Sequence, residues 1–356
     1  MFHICICDVK SSGDRRPPRS LRRFEEIESA GTEVNYRCVG CRNCQECKRS
    51  SRVDSISIDE EIQQDVINRC VKIDFEKGEA SHELPFMTEP DGKLSSTDQM
   101  SKKIYHSQVK ALSNKSDKRE AVLESEAKLQ RLGYVDWFDN LPDDVKDMIR
   151  QNFRYFIPWR VVMNENSLST PCRLVFDASC APKGGCSLNM LLAKGTNNMN
   201  KLIVILIRWF IQLIGFHTDI AKMYNGIILD KKHWRYHLYL WDDKLRVGIA
   251  PRWKVLKTAF YGVVSSGNVA ESALRKVAEL TRSEFPKAFD TIMNDLYVDD
   301  CISGDATISD AHTKADQLSS TLGKVNFVLK GVTYSGEDPP KDLSRDGVSI
   351  LVGGVR

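Results

Sequence analysis

The sequence predicts an α+β chain: a mixed sheet-and-helix domain preceded by a Cys-rich segment and a helical linker. Short β-forming runs, Arg173 to Phe176 and His237 to Trp241 among them, recur beyond Phe153. Amphipathic segments lie between them, and Val269, Ala273, Val277 and Leu280 make one stripe at helical spacing. Such interleaving is the pattern of helices packed on a sheet. With 42% of its 356 residues apolar, the chain can bury a sizeable core.

In chain order, residues 1–35 read as a basic flexible tail. They carry Arg15, Arg16, Arg19, Arg22 and Arg23 and few large apolar residues, which suits a solvated linker or a nucleic-acid contact. Residues 36–50 form a Cys-rich box. Residues 51–135 read as a linker and helical segment, in which Ile62, Val66, Ile67 and Cys70 recur at helical spacing. Pro, Gly, Ser and Asp then mark Glu79 to Ser101 as a loop. One or two helices over residues 101–132 stop at Gly133, with Glu124 placed to pair with Lys128. Residues 136–356 hold the mixed domain.

The formal charge of +3, from 51 Lys and Arg against 48 Asp and Glu, does not by itself mark a nucleic-acid partner. The run from Leu202 to Phe216 contains Arg208 and Gln212 and is shorter than the ~20 apolar residues of a spanning helix, so it predicts a buried helix and no membrane contact. No secretory signal is visible near Met1. An odd count of 11 Cys favours a reducing, intracellular setting with metal-bound or free thiols.

The most informative segment is Leu296-Tyr297-Val298-Asp299-Asp300-Cys301-Ile302-Ser303. Two Asp between short β-forming runs predict a hairpin with the carboxylates at its turn, because Asp is disfavoured inside strands and favoured in turns. Asp219 ends another apolar stretch some 80 residues earlier, and Tyr224 follows it by five positions. Phosphodiester formation with two divalent ions requires carboxylates converging from different strands. Asp219, Asp299 and Asp300 supply them, and their hard oxygens suit Mg²⁺ or Mn²⁺. The alternation in Cys172 to Ser179 predicts a strand presenting Arg173, either as a bidentate triphosphate clamp or in a surface pair with Asp177.

Taken in order from about Tyr36 to Thr333, these segments resemble the reverse transcriptases of long-terminal-repeat retroelements of the BEL/Pao class. The likeness spans the Cys cluster, Leu84-Pro85-Phe86, the Arg173 strand, Ser187-Leu188-Asn189, Asp219 to Tyr224, Tyr261 to Ser266 and the YVDD box. It implies a right-hand polymerase with fingers near residues 150–215, a ferredoxin-like palm over 216–310 and a truncated thumb. It further implies that Asp219, Asp299 and Asp300 hold the metal ions and that Arg173 touches a deoxynucleoside triphosphate. Tyr224 would exclude a 2′-hydroxyl, Tyr261 and Gly262 would line the nucleotide pocket, and Tyr297 and Val298 would lie near the primer end. An RNA or DNA template-primer would be the partner, in a cytoplasmic particle or the nucleus. The chain departs from the family pattern at Gly267, where Pro is usual, at Asn225-Gly226, and at Phe327 to Val332, which lacks a Lys-Trp pair. Protease, ribonuclease H and integrase signatures are absent, so the chain reads as a polyprotein fragment.

Cys38, Cys41, Cys44 and Cys47 repeat at C-x2-C-x2-C-x2-C. Paired C-x2-C units are typical of Zn²⁺ sites, yet four ligands so close leave little chain to wrap one tetrahedral ion. Zinc, an iron–sulfur cluster and no defined metal all stand as readings. At the level of function the alternatives to a polymerase are an inactive relic or domesticated nucleic-acid-binding module, and an unrelated Asp-dependent phosphatase.

Overall fold

The computed structural model describes residues 57–163 and 172–335. The basic tail and all four cysteines of the Cys box lie outside the described residues.

Helix α1 (Ile58–Cys70) starts at a reciprocal cap in which the Glu60 amide donates to the Ser57 hydroxyl and the Ser57 amide to the Glu60 carboxylate. It runs into the hairpin of β1 (Val71–Asp74) and β2 (Glu79–His82). Helices α2 (Asp98–Leu112) and α3 (Ser116–Arg131) follow, then β3 (Val135–Trp137), α4 (Asp143–Gln151), and the pair β4 (Trp159–Met163) and β5 (Cys172–Phe176). The short α5 (Leu188–Leu191) and α6 (Leu202–Phe210) lead to β6 (Ile214–Ala221), β7 (Ile227–Leu229), β8 (Leu238–Trp241) and β9 (Arg252–Leu256). The rest is α7 (Ser266–Thr281), α8 (Pro286–Asn294), β10 (Leu296–Tyr297), β11 (Asp300–Asp305), α9 (Ile308–Gly323), β12 (Val328–Leu329) and β13 (Thr333–Tyr334). The mixed α+β class is the one the sequence predicts.

Two hydrophobic clusters hold these elements. The first gathers Tyr105, Val122, Trp137, Trp159, Phe176 and Tyr239 around β3, β8, β9 and the β4–β5 pair. Inside it lies a buried charge: the Lys254 ammonium donates to Glu126 at 2.5 Å, and the Tyr239 hydroxyl donates to the same carboxylate at 2.7 Å. A buried charge of this kind is tolerated only when paired and hydrogen-bonded. The second cluster packs α1, α7, α8 and α9 on one face of the sheet β10-β11-β6-β12, with β13 also paired to β6.

Strand alternation explains that sheet. Phe216, Thr218 and Ile220 point into the second cluster, which leaves His217 and Asp219 on the open face. Gly215 pairs with Gly304 on that open face, and a Cβ at Gly215 would run into the Trp209 indole. Gly215 thus lets Trp209 of α6 lie close over one end of the open face, and a Cβ at Gly304 would meet Gln212 just beyond that helix.

Several expectations need correction. The run after Leu202 is not one buried helix: α6 ends at Phe210, only Ile205 in it is buried, and Ile203, Ile207, Phe210, Ile211 and Leu213 are exposed. Part of the expected loop over Glu79 to Ser101 is the strand β2, which pairs with β1 and runs parallel to β7. Glu124 pairs with Arg131, and Leu280 stays exposed although Val269, Ala273 and Val277 are buried.

Candidate active site

The hairpin expected around Asp299 and Asp300 forms, but only Asp299 lies in its turn; Asp300 opens β11, where pairing with Tyr297 and Asp219 outweighs the poor strand preference of Asp. Leu296 faces Cys301 and Tyr297 faces Asp300, so Val298 and Asp299 make a two-residue turn. Val298 carries it at φ 59°, a conformation unusual for a β-branched residue and a mark of local strain. Strand β11 then lies antiparallel to β6 with Asp300 directly opposite Asp219. The Ile220 amide donates to the Asp299 carbonyl at 2.8 Å, and the Lys330 amide donates to the Asp219 carbonyl at 2.8 Å. Main-chain bonds on both edges of β6 therefore fix three Asp from two distant segments at one end of one sheet.

The three carboxylates have different surroundings. The Lys330 ammonium lies 2.9 Å from Asp219 Oδ1, off the line of a hydrogen bond. His217 Nε2 lies 3.0 Å from Asp300 Oδ1. Asp299 has burial first, then Asp219 and Asp300 beside it, and these push its carboxyl up to about 6. Among the described residues no three His, Cys, Asp or Glu side chains are gathered around one metal-sized point. Two of the three Asp side chains turn instead toward Lys330 and His217.

Next to the carboxylates opens a cavity of about 420 Å³, whose wall includes Arg173, Tyr224, Tyr261, Gly262, Val298 and Asp299. Arg173 reaches it from the exposed side of β5. Tyr224 sits in a 3-10 turn just past β6, and burial, aided by Asp299, raises its hydroxyl to about 12. Its ring meets Tyr261 edge-on, with centroids 4.5 Å apart. Gly262 has φ 104°, and a Cβ there would overlap the Phe176 carbonyl oxygen, so the loop crosses β5 in direct contact. Tyr297 faces Asp300 on β10 and is not part of the cavity wall. A larger hollow of about 810 Å³, beside α3, shares no residue with this site.

No family model and no curated protein matches this chain. The assignment of chemistry therefore rests on the site itself.

Sequence reasoning missed His217, Lys330, and the Glu271–Arg275 pair, which lines the far end of the cavity with a contact of 2.9 Å. His217 had a signal, since it stands two residues before Asp219 and so shares its face of a strand. Lys330 had none: its partner is 111 residues away.

Proposed function

We propose that this chain is the core of an RNA-directed DNA polymerase, adding deoxynucleotides to a primer. The observation that carries this reading is the joining of Asp219, Asp299 and Asp300 at one end of one sheet, with Asp299 in the wall of a cavity that also holds Arg173 and Tyr224. The strand order supports it: β6, β10, β11 and β12, with α7–α8 and α9 as the crossings, follow the β-α-β-β-α-β path of a ferredoxin-like palm. On this reading residues 136–356 hold fingers and palm.

The donor set fits Mg²⁺. All three ligands are hard carboxylate oxygens, and Lys330 already places a cation against Asp219. Divalent ions held by Asp219, Asp299 and Asp300 would polarise the primer hydroxyl and the triphosphate. The chain itself supplies positioning and charge. Arg173, always protonated and planar, clamps triphosphate oxygens in bidentate fashion. Tyr224 fills the space beneath the sugar. Lys330 and His217 lie against Asp219 and Asp300, so both side chains would have to move aside for these carboxylates to hold divalent ions. Their pairing with Asp219 and Asp300 also favours a second reading, a nucleic-acid-binding module without catalysis.

Sugar selection tests the proposal. On a poly(rA) template with an oligo(dT) primer, Tyr224→Ala is expected to keep dTTP incorporation and raise UTP incorporation at least about tenfold, because the wild-type ring discriminates by clash. An aromatic serving only the core would instead cost about 3 to 5 kcal/mol of stability and weaken both substrates alike. Equal losses for both sugars together with a lower Tm would remove Tyr224 from the mechanism.

A further inference from the structure

Asn189 joins the two walls of the cavity, and no role described above uses it. Its main-chain N–H donates to the Ala178 carbonyl at 3.1 Å, which ties α5 to the end of β5. Its side-chain Nδ2 donates to Ser179 Oγ at 2.8 Å and to the Gly262 carbonyl at 2.9 Å. Its Oδ1 accepts from the Val264 N–H at 2.9 Å. Both amide protons and the amide oxygen are thus engaged, a pattern that neither a carboxylate nor a hydroxyl can reproduce.

We propose that Asn189 is a positioning residue that locks the loop from Tyr261 to Val264 onto the strand carrying Arg173, setting the spacing between triphosphate clamp and nucleotide pocket. This rests on the polymerase reading. The loop has two further anchors. Gly262 lies against the Phe176 carbonyl, and Ser266 Oγ donates to the Phe260 carbonyl at 2.7 Å. Tyr261 projects between these anchors, 45% exposed, with its ring against Tyr224. Freed at Gly262 and Val264, the loop would let Tyr261 drift from Tyr224 and from the side where Arg173 stands. The binding site for the nucleotide would widen while the carboxylates, which are fixed by β6 and β11, stay in place. The defect is therefore one of nucleotide binding.

Two variants and two readouts test this. Asn189→Asp keeps shape but sets a carboxylate oxygen against the Gly262 carbonyl; Asn189→Ala removes the clamp. In single-nucleotide extension on poly(rA), both should raise KM for dTTP about tenfold or more and leave kcat within about threefold, as a misplaced binding group does. The KM for template-primer should not change, and the Tm should fall only modestly, as loss of part-buried hydrogen bonds on one loop requires. Hydrogen exchange, which needs no turnover, should show the Val264 amide of Asn189→Ala exchanging at least about tenfold faster while the amides of α7 keep their protection. Wild-type protection at Val264 in Asn189→Ala, or an unchanged KM for dTTP, overturns the clamp, as does a fall of kcat well beyond threefold accompanied by a large drop in Tm. Should wild-type chain extend no primer, the polymerase reading fails on its own, and the exchange of Val264 alone decides whether Asn189 holds the loop.

Discussion

If the chain is the proposed polymerase, Asp219→Asn and Asp299→Asn are each expected to reduce primer extension by about a thousandfold or more, because a neutral amide is a far poorer ligand than a carboxylate for the divalent ions that the reaction would need. The fold should survive both changes, since the β6–β11 register depends on main-chain bonds. Asp299→Asn should also stabilise the protein. The folded state raises the Asp299 carboxyl from 3.8 to about 6, so it holds this proton more tightly than the unfolded chain does. The stability from Asp299 is full below pH 4, declines as the pH rises toward 6, and stays lost above it. A shift of about two units corresponds to roughly 3 kcal/mol, which Asn at this position would recover at pH 8 and not at pH 4. Denaturant melts of both proteins at the two pH values measure this; a stabilisation independent of pH would contradict the burial of Asp299 beside Asp219 and Asp300.

Gly262→Ala is expected to cost at least about 3 kcal/mol or to prevent folding altogether, because strain at a left-handed position adds to an overlap that neither partner can relieve. The colliding atom is the Phe176 carbonyl oxygen, main chain at the end of β5 in the first hydrophobic cluster. Gly267→Ala is the control. Its added Cβ would meet nothing closer than the Tyr224 hydroxyl at 3.8 Å, and it lies in the first turn of α7, where Ala is the better helix former by up to about 1 kcal/mol. Urea denaturation should order the three proteins Gly267→Ala, wild type, Gly262→Ala from most to least stable. Equal midpoints for the last two would show that the loop does not cross β5 as described.

The hairpin at Asp299 was legible because turn chemistry is local: two Asp between β-forming runs have few other places to go. The helix stripe from Val269 to Val277 was legible for a similar reason, a period that spans only three turns. The run after Leu202 misled because apolar content was taken for burial. What lets α6 pack on the open face is the missing side chain of Gly215 beneath Trp209, a contact between sheet and helix that apolar content does not signal. The strand at Glu79 to His82 is likewise created by its neighbours β1 and β7 against a composition that favours loops. At the site, the Asp residues and Arg173, Tyr224, Tyr261 and Gly262 were named from the motifs and the family resemblance, whereas Val298, expected near the primer end, lies in the cavity wall. The pairing of Lys330 and His217 with Asp219 and Asp300, and the clamp from Asn189 to Gly262, depend on contacts between residues far apart in the chain.

Extension of an oligo(dT) primer on poly(rA) by the purified chain, with Mg²⁺ and separately with Mn²⁺, tests the central claim most directly. Templated dTMP addition is expected with at least one ion, and none from Asp219→Asn prepared in parallel. Absence of extension with both ions, or equal extension by Asp219→Asn, would contradict it.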